Sequence, residues 1–257
     1  MRKQQEMKII SNTQIANRVF ELVLTGELAS IMLQAGQFVN IKVGDGGFLL
    51  RRPISICSVN HHKKEITLVY RAEGAGTTSL SGQKAGEYVD ILGPLGTGFD
   101  IESIPTVATV ALVGGGIGVP PMYEAAKKLS AKGNKVVAIL GFESKDGVFY
   151  EEKFQEIAEV HVATMDGSYG FEGHVVALMK EKGIEFDWVL ACGPKTMLQG
   201  LHTEYHSTKE GFLSFEERMA CGIGACYACV CTMSDGSRPR VCKEGPVFNL
   251  KEVAFNE

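Results

Sequence analysis

The stretch TVATVALVGGGIG, residues 106–118, decides the fold of this chain. Its first eight residues form an apolar run of strand length, which leads directly into a run of glycines. These glycines are Gly114, Gly115, Gly116 and Gly118. The sequence VPPMYEAAKKLSAKG follows with helical spacing and with prolines in its first turn. A strand that enters a helix through glycines is typical of a domain that binds a nucleotide phosphate at this junction, and a tight packing turn is the alternative.

The sequence pattern differs on the two sides of this stretch. Downstream, strand-like runs alternate with helical patterns as far as residue 211, which predicts a parallel α/β sheet. Upstream, short β-type runs follow one another between glycine-bearing or polar turns, which predicts an antiparallel barrel or sandwich. We therefore divide the chain into a β-barrel domain (1–100), an α/β nucleotide-binding domain (101–211) and a small C-terminal domain (212–257). The last is too short to form a core of its own without a metal or disulfides.

Composition excludes several classes of partner. The 257 residues carry a net charge of −4, with acidic and basic residues interspersed, so the basic surface expected of a nucleic-acid-binding protein is missing. The longest apolar stretch is interrupted by glycines and is shorter than the roughly 20 residues that a bilayer requires. We therefore expect a cytoplasmic protein that binds neither nucleic acid nor membrane.

Five of the seven cysteines lie near the C-terminus, four of them within CGIGACYACVC, residues 221–231. Cys221, Cys226 and Cys229 are spaced CxxxxCxxC, and Cys242 follows after twelve residues. This pattern matches the start of the plant-type [2Fe–2S] motif, and glycines within it allow the backbone to curl and to direct N–H groups at sulfur. A structural zinc site and plain buried thiols are the alternatives, and the expected compartment disfavours disulfides. Cys231 is surplus to the ligand set and is expected in the core.

Two weaker patterns lie in the predicted barrel. RRPISICSVN, residues 51–60, places Arg52 before a strand, where its guanidinium suits a pyrophosphate, and places Ser55 further along that strand. EGAGTT then supplies Gly76 and Thr77 at a predicted helix start. Together these residues predict a phosphate-bearing aromatic cofactor, whereas an ordinary strand start with solvated arginines is the alternative.

Two residues mark the edge of the predicted sheet at which α/β domains bind ligands. Glu143 follows the second strand, where a carboxylate accepts hydrogen bonds from ribose hydroxyls and repels a 2′-phosphate, which favours NADH over NADPH. Cys192, in ACGPKTM, ends the fourth apolar strand, and contact with a nicotinamide and simple burial are equally compatible with this position. No Ser/His/Asp order or carboxylate pair stands out, so hydrolytic chemistry has no support and no catalytic acid or base is assigned.

The order of these features resembles the ferredoxin-reductase family: a barrel with RPIS, an α/β domain with GGGIG and CGP, then a cysteine-rich segment. Within that family, SFEERMACGIGACYACVC (214–231) is similar to the cluster loop of the electron-transfer subunits of dihydroorotate dehydrogenase B, and the resemblance covers essentially the whole chain. It implies FAD in the barrel, NAD(P) in the α/β domain and one [2Fe–2S] cluster in the C-terminal domain. The short spacing from Cys229 to Cys242 departs from plant-type ferredoxins, so a complete ferredoxin fold is not expected.

The resemblance also implies residue roles. The flavin contacts would be Arg52, Pro53, Ile54, Ser55, Val69, Tyr70, Arg71, Gly76 and Thr77, with Ser55 near the redox-active edge of the ring. The cluster ligands would be Cys221, Cys226, Cys229 and Cys242.

The function implied is electron transfer within a complex. Electrons would leave dihydroorotate for FMN in a separate catalytic subunit, cross the cluster to FAD and pass to NAD⁺ as hydride, in de novo pyrimidine biosynthesis. The complex would be a two-plus-two heterotetramer. Two alternatives remain open at this point: a reductase subunit that serves a hydrogenase, an oxygenase or a ferredoxin, and a zinc-stapled nucleotide-binding regulator without redox chemistry.

Overall fold

In the computed structural model, which describes residues 2–44 and 47–255, six strands close into an antiparallel barrel. They are β1 (Lys3–Ala16), β2 (Val19–Thr25), β3 (Phe38–Ile41), β4 (Arg52–Asn60), β5 (Glu65–Arg71) and β6 (Tyr88–Leu95). Their order around the barrel is β1-β2-β5-β4-β3-β6, and pairing of β6 with β1 closes it. A short helix, α1 (Ala75–Ser81), follows β5. The barrel predicted from the short β-type runs is confirmed.

Side-chain alternation separates the inside of the barrel from its outside. Val39, Ile41 and Ile54 belong to the barrel core. Because successive side chains of a strand point to opposite faces, Phe38 and Asn40 lie on the outer face of β3. Phe38 accordingly packs in a different apolar cluster, together with residues of the C-terminal segment.

The second sheet has seven strands, in the order β10-β9-β8-β7-β11-β12-β13. They are β7 (Thr109–Gly115), β8 (Lys135–Phe142), β9 (Glu159–Thr164), β10 (Phe171–Glu172), β11 (Trp188–Cys192), β12 (Glu210–Ser214) and β13 (Val247–Asn249). The helices are α2 (Val119–Lys132), α3 (Glu151–Gln155), α4 (Val175–Glu181) and α5 (Lys195–Tyr205). All strand pairs are parallel except β12 with β13, so the predicted parallel α/β sheet is confirmed. None of the helices in the described part of the chain is long and apolar enough to span a bilayer.

A polar network fastens the barrel to the α/β domain. The buried Glu124 of α2 accepts hydrogen bonds from Val59 N (3.2 Å) and from Lys127 Nζ (2.9 Å). At a second point, the Tyr150 hydroxyl donates to the Glu21 carboxylate, which also pairs with Lys153 Nζ at 2.6 Å. A charge with several partners at such a seam stabilises one relative orientation of the two units.

The C-terminal segment returns to the sheet. Strand β12 extends to Ser214 and so runs across the boundary placed between residues 211 and 212, and β13 pairs with it from the far end of the segment. Val241 and Cys242 pack in one apolar cluster with Phe38 of the barrel and Leu213 of the sheet. The segment therefore shares its core with both other units, as its shortness required.

Candidate cofactor site

The four cysteines predicted as ligands form two neighbouring pairs. An antiparallel bridge between Val230 and Arg240, with a hydrogen bond from Val241 N to Cys229 O (2.7 Å), brings Cys229 beside Cys242, close enough for Cys229 to contribute to the raised pKa of Cys242. Cys226 likewise lies near enough to Cys221 to contribute to the lowered pKa of Cys221. Within residues 2–44 and 47–255 no three His, Cys, Asp or Glu side chains surround a single metal position. Two pairs of thiols match a two-iron cluster, which has four cysteine ligands shared between its irons.

Backbone N–H groups point at two of these sulfurs. Gly224 N lies 3.1 Å from Cys242 Sγ, while Ile223 N and Ala225 N lie 3.4 and 3.3 Å from Cys221 Sγ. Burial raises the pKa of Cys242 to about 12. At Cys221 partial burial acts in the same direction, but the N–H donors outweigh it and lower the pKa to about 6. The N–H donors therefore stabilise negative charge on the Cys221 sulfur, as the thiolates of an iron–sulfur cluster require, whereas burial opposes that charge at Cys242.

Two glycines give this loop its shape and seat it on the barrel. Gly222 and Gly224 have φ values of +66° and +85°, a region that disfavours any residue with a Cβ. A Cβ at Gly222 would lie 1.9 Å from Nδ2 of Asn40, and one at Gly224 would lie 2.7 Å from Cδ of Lys243. Asn40 is 1% exposed, and its Oδ1 has no hydrogen-bond partner in the described residues. The tight curl predicted from the glycines is present, and it presses the loop against β3.

The strand beside β3 carries the predicted flavin residues. Asn40 pairs with Pro53 and Phe38 pairs with Ser55, so these four side chains share the outer face of the barrel. Neighbouring strands are about 4.8 Å apart. The cluster loop and the RPIS strand therefore lie side by side.

The two arginines of RRPIS have different roles in the structure. Arg51 is fixed by a bidentate pair with Asp90, with Nη2 to Oδ2 at 2.8 Å. Arg52 packs over the Phe48 ring instead, with its Cζ 5.2 Å from the centroid. A Cβ at Gly76 would lie 2.4 Å from Arg52 Nε, so the bare glycine backbone admits the guanidinium beside the start of α1. Arg52 and Gly76 thus come together, while the hydroxyl of the neighbouring Thr77 donates to Gly74 O at 3.2 Å. The guanidinium suits a pyrophosphate, and that contact stays a prediction.

The remaining flavin candidates fall on both faces of their strands. Ile54 and Tyr70 point into the barrel core, and the Tyr70 hydroxyl donates to Asn12 Oδ1 at 3.0 Å. Val69 is buried in the cluster that joins the barrel to the α/β domain. The side chains of these three residues are therefore occupied by packing. If a flavin ring lies outside the barrel, only their backbone atoms can contact it. Arg71 reaches the glycine turn, where a Cβ at Gly116 would lie 3.2 Å from its Nη2.

The glycine turn at the end of β7 is strongly shaped by packing. A Cβ at Gly114 would lie 2.8 Å from Val119 Cα, one at Gly115 would lie 2.7 Å from Met197 Sδ, and one at Gly118 would lie 2.2 Å from Cys192 O. The first turn of α2 contains two prolines, which have no N–H to offer a phosphate. Close packing accounts for three of the four glycines, and the phosphate contact predicted here stays a prediction.

The carboxyl ends of the parallel strands form one edge, where both remaining candidates lie. Glu143 is exposed directly after β8. Cys192 ends β11 and is 1% exposed, and burial raises its pKa, so the thiol is neutral. Their contacts with a nucleotide stay predictions. Glu216, which sequence reasoning missed, lines a cavity of about 380 Å³ with Pro194 at this edge, and desolvation raises the pKa of its carboxyl. Its position just after a strand, like that of Glu143, is the signal that would have found it.

Comparison with known proteins decides the family. Residues 5–99 match the oxidoreductase FAD-binding domain, and residues 216–254 match the iron–sulfur cluster binding domain of dihydroorotate dehydrogenase B. The electron transfer subunit of dihydroorotate dehydrogenase B (NAD(+)) from Bacillus cereus (strain AH187) is 50% identical over 260 residues, which covers 99% of this chain and all of the relative. This chain belongs to the electron-transfer subunits of dihydroorotate dehydrogenase B. The Bacillus anthracis (strain A0248) subunit matches equally well.

Solved structures share the fold of this chain. An NADH-dependent reduced ferredoxin-NADP oxidoreductase, described in work on flavin-based electron bifurcation, superposes with a TM-score of 0.86 at 31% identity, over 96% of this chain and 89% of that one. A ferredoxin NADP⁺ reductase from Neisseria gonorrhoeae shares the fold alone, with a TM-score of 0.68 at 14% identity over 81% of this chain and 92% of that one. As an electron-transfer subunit, the chain is part of an oxidoreductase with an FAD-binding and an iron–sulfur cluster binding domain. The iron–sulfur match decides against the zinc-stapled regulator.

Proposed function

We infer that this subunit carries electrons from an FMN-containing dihydroorotate dehydrogenase subunit through a [2Fe–2S] cluster and FAD to NAD⁺. One observation carries the proposal: the cysteine loop is seated on the outer face of β3, beside the RPIS strand. The cluster exchanges single electrons whereas a flavin exchanges one or two, which links a one-electron carrier to the two-electron acceptor NAD⁺. The main task of the chain is therefore to hold the cluster site and the flavin site close enough for electron transfer.

We assign each residue group a role that is compatible with its position. Cys221, Cys226, Cys229 and Cys242 ligate the cluster. Arg52, Gly76 and Thr77 hold the flavin pyrophosphate, Pro53 and Ser55 face its ring, and Ile54, Val69 and Tyr70 contribute backbone. Arg71 links this site to the turn formed by Gly114, Gly115, Gly116 and Gly118, while Glu143 and Cys192 line the NAD edge.

The exposed side of the cluster loop is where we place the partner. Cys226 is exposed, and the neighbouring Ile223 and Tyr227 are 38% and 62% exposed although both are apolar. An apolar rim around a cofactor is typical of a protein-binding surface. We assign the FMN-containing subunit to this surface, in a two-plus-two heterotetramer that serves pyrimidine synthesis in the cytoplasm.

A second redox partner is the competing proposal. It has one specific support, the 31% identity to the NADH-dependent reduced ferredoxin-NADP oxidoreductase. The 50% identity to dihydroorotate dehydrogenase subunits over essentially the full length favours the first proposal.

The test is reconstitution of the complete reaction. The chain is co-expressed with an FMN-containing dihydroorotate dehydrogenase subunit, and dihydroorotate-dependent reduction of NAD⁺ is followed at 340 nm, a standard wavelength for NADH. The expected result is a complex that reduces NAD⁺, whereas the FMN subunit alone does not. A chain that reduces ferredoxin with NADH but neither binds the FMN subunit nor accepts its electrons would contradict the proposal.

A further inference from the structure

Arg240 holds the cysteine loop from one side. Its Nη1 donates to the Gly224 carbonyl oxygen at 2.6 Å, and its Nε and Nη2 both donate to the Glu244 carboxylate, the former at 2.9 Å. Its Cζ lies 4.6 Å from the centroid of the Tyr227 ring, a cation–π distance. The side chain is only 14% exposed, and all three guanidinium nitrogens donate a hydrogen bond.

The peptide that Arg240 holds also faces a predicted ligand. The Gly224 carbonyl and the Ala225 N–H belong to one peptide unit, which is planar and trans, so the two groups point in opposite directions. The Ala225 N–H donates to Cys221 Sγ at 3.3 Å. Fixing the Gly224 oxygen therefore fixes the direction of an N–H that points at the Cys221 sulfur.

The support behind Arg240 is rigid. Glu244 accepts from the Arg240 backbone N at 2.9 Å as well as from its side chain, so the carboxylate orients the guanidinium. The Arg240 carbonyl in turn accepts N–H groups from Lys243, Glu244 and Gly245 at 3.0 to 3.2 Å. The arginine is thus anchored in a closed turn next to Cys242 and reaches across to the loop that contains Cys226.

We propose that Arg240 is a positioning residue: it locks the Gly224–Ala225 peptide so that the N–H faces the Cys221 sulfur, and thereby holds the ligand loop in its binding conformation before iron arrives. The proposal rests on the assignment of the four cysteines as cluster ligands. Loss of this lock makes the competent loop conformation rarer in the apoprotein, which slows cluster assembly in proportion. Loss of Arg240 also weakens an N–H···S bond and removes a positive charge near the cluster. Both changes lower the reduction potential of the cluster.

The experiment compares Arg240→Gln with Arg238→Gln in the full chain. Arg238 is exposed and lies two residues away, so its variant makes the same charge change without touching the loop. Apoprotein is reconstituted anaerobically with ferrous iron and sulfide, and iron, labile sulfide, FAD, the EPR spectrum of the reduced cluster and its midpoint potential are measured. For Arg240→Gln we expect assembly slower by about tenfold, the effect of one charge-assisted hydrogen bond, together with a lower potential and unchanged FAD.

Two further variants keep the test decisive. Arg240→Lys retains the charge but cannot bind Gly224 and Glu244 together, so we expect partial rescue of the potential and an intermediate assembly rate. If Arg240→Gln loses FAD or fails to fold, Glu244→Gln takes its place, with slower assembly expected because the guanidinium is no longer oriented. An Arg240→Gln variant that matches Arg238→Gln in assembly rate and in potential overturns the inference. Failure of the proposed function is distinguishable, since the wild-type chain would then lack the cluster or the electron transfer.

Discussion

The change Gly222→Ala tests how the cysteine loop is seated on the barrel. Gly222 has a φ of +66°, and a left-handed backbone costs a residue with a Cβ about 1–2 kcal/mol. The new Cβ would also lie 1.9 Å from Nδ2 of Asn40, which is itself 1% exposed and has little room to move. Overpacking of this kind adds about 1–3 kcal/mol. The docked loop should therefore be destabilised by about 2–5 kcal/mol in total.

Gly236→Ala is the matched control. Gly236 lies in the same segment with a φ of +80°, but nothing lies within 4 Å of the position of its Cβ. Gly236→Ala therefore has only the cost of the left-handed backbone. The destabilisation by Gly222→Ala should exceed it by about 1–3 kcal/mol, and this excess measures the clash with the barrel. In occupancy of the docked loop this difference is about 5- to 150-fold.

The assay is iron and labile sulfide per chain after reconstitution, with FAD measured on the same sample. Gly222→Ala should lose most of its cluster and keep its flavin, whereas Gly236→Ala should keep both. In an Asn40→Ala background the Gly222→Ala penalty should shrink, because the clashing side chain is gone. Equal cluster content in the two glycine variants, or no coupling to Asn40, would refute the described seating of the loop.

Three further predictions concern single sites. Cys226→Ser should abolish cluster assembly and leave FAD bound and reducible by NADH, while Cys231→Ser keeps its iron; unchanged iron in the first variant would remove Cys226 from the ligand set. Glu143→Gln should raise the NADPH-to-NADH ratio of kcat/KM by about tenfold, because the carboxylate no longer repels a 2′-phosphate, and an unchanged ratio would place the ribose elsewhere. Tyr150→Phe should lower the free energy of unfolding, measured in urea, by about 1–2 kcal/mol, since a buried donor to the Glu21 carboxylate is lost. The control is Tyr169→Phe at an exposed position. Equal effects of the two changes would contradict a stabilising polar network between the barrel and the α/β domain.

Local sequence signals predicted the parts of the fold that depend on short-range order. The barrel runs, the strand before Gly114 and the loop with Gly222 and Gly224 all follow from alternation, helical spacing or backbone freedom, and all are present. The same signals left the meaning of the GGGIG turn open. A Cβ at Gly115 would meet the side chain of Met197, and one at Gly118 would meet the carbonyl of Cys192. A glycine pattern alone does not distinguish such close packing from contact with a ligand.

The contacts between distant parts of the chain were beyond sequence reasoning. The three-residue β13 has no pattern of its own and exists because β12 offers it an edge. The burial of Asn40 under Gly222 joins the start of the chain to its end, and it depends on how the units pack. Arg240 had one weak sign, an acidic partner four residues later at Glu244, and its reach to Gly224 is visible only in the folded loop.

The most direct test of the account is a visible spectrum of the anaerobically purified chain before and after NADH, with iron, labile sulfide and FAD assayed on the same sample. We expect flavin bands over a broad iron–sulfur absorbance that NADH bleaches, with about two iron and about two sulfide for each FAD. A colourless chain, or a flavin spectrum without iron and labile sulfide, would contradict the central claim that this subunit joins a cluster and a flavin in one path to NAD⁺.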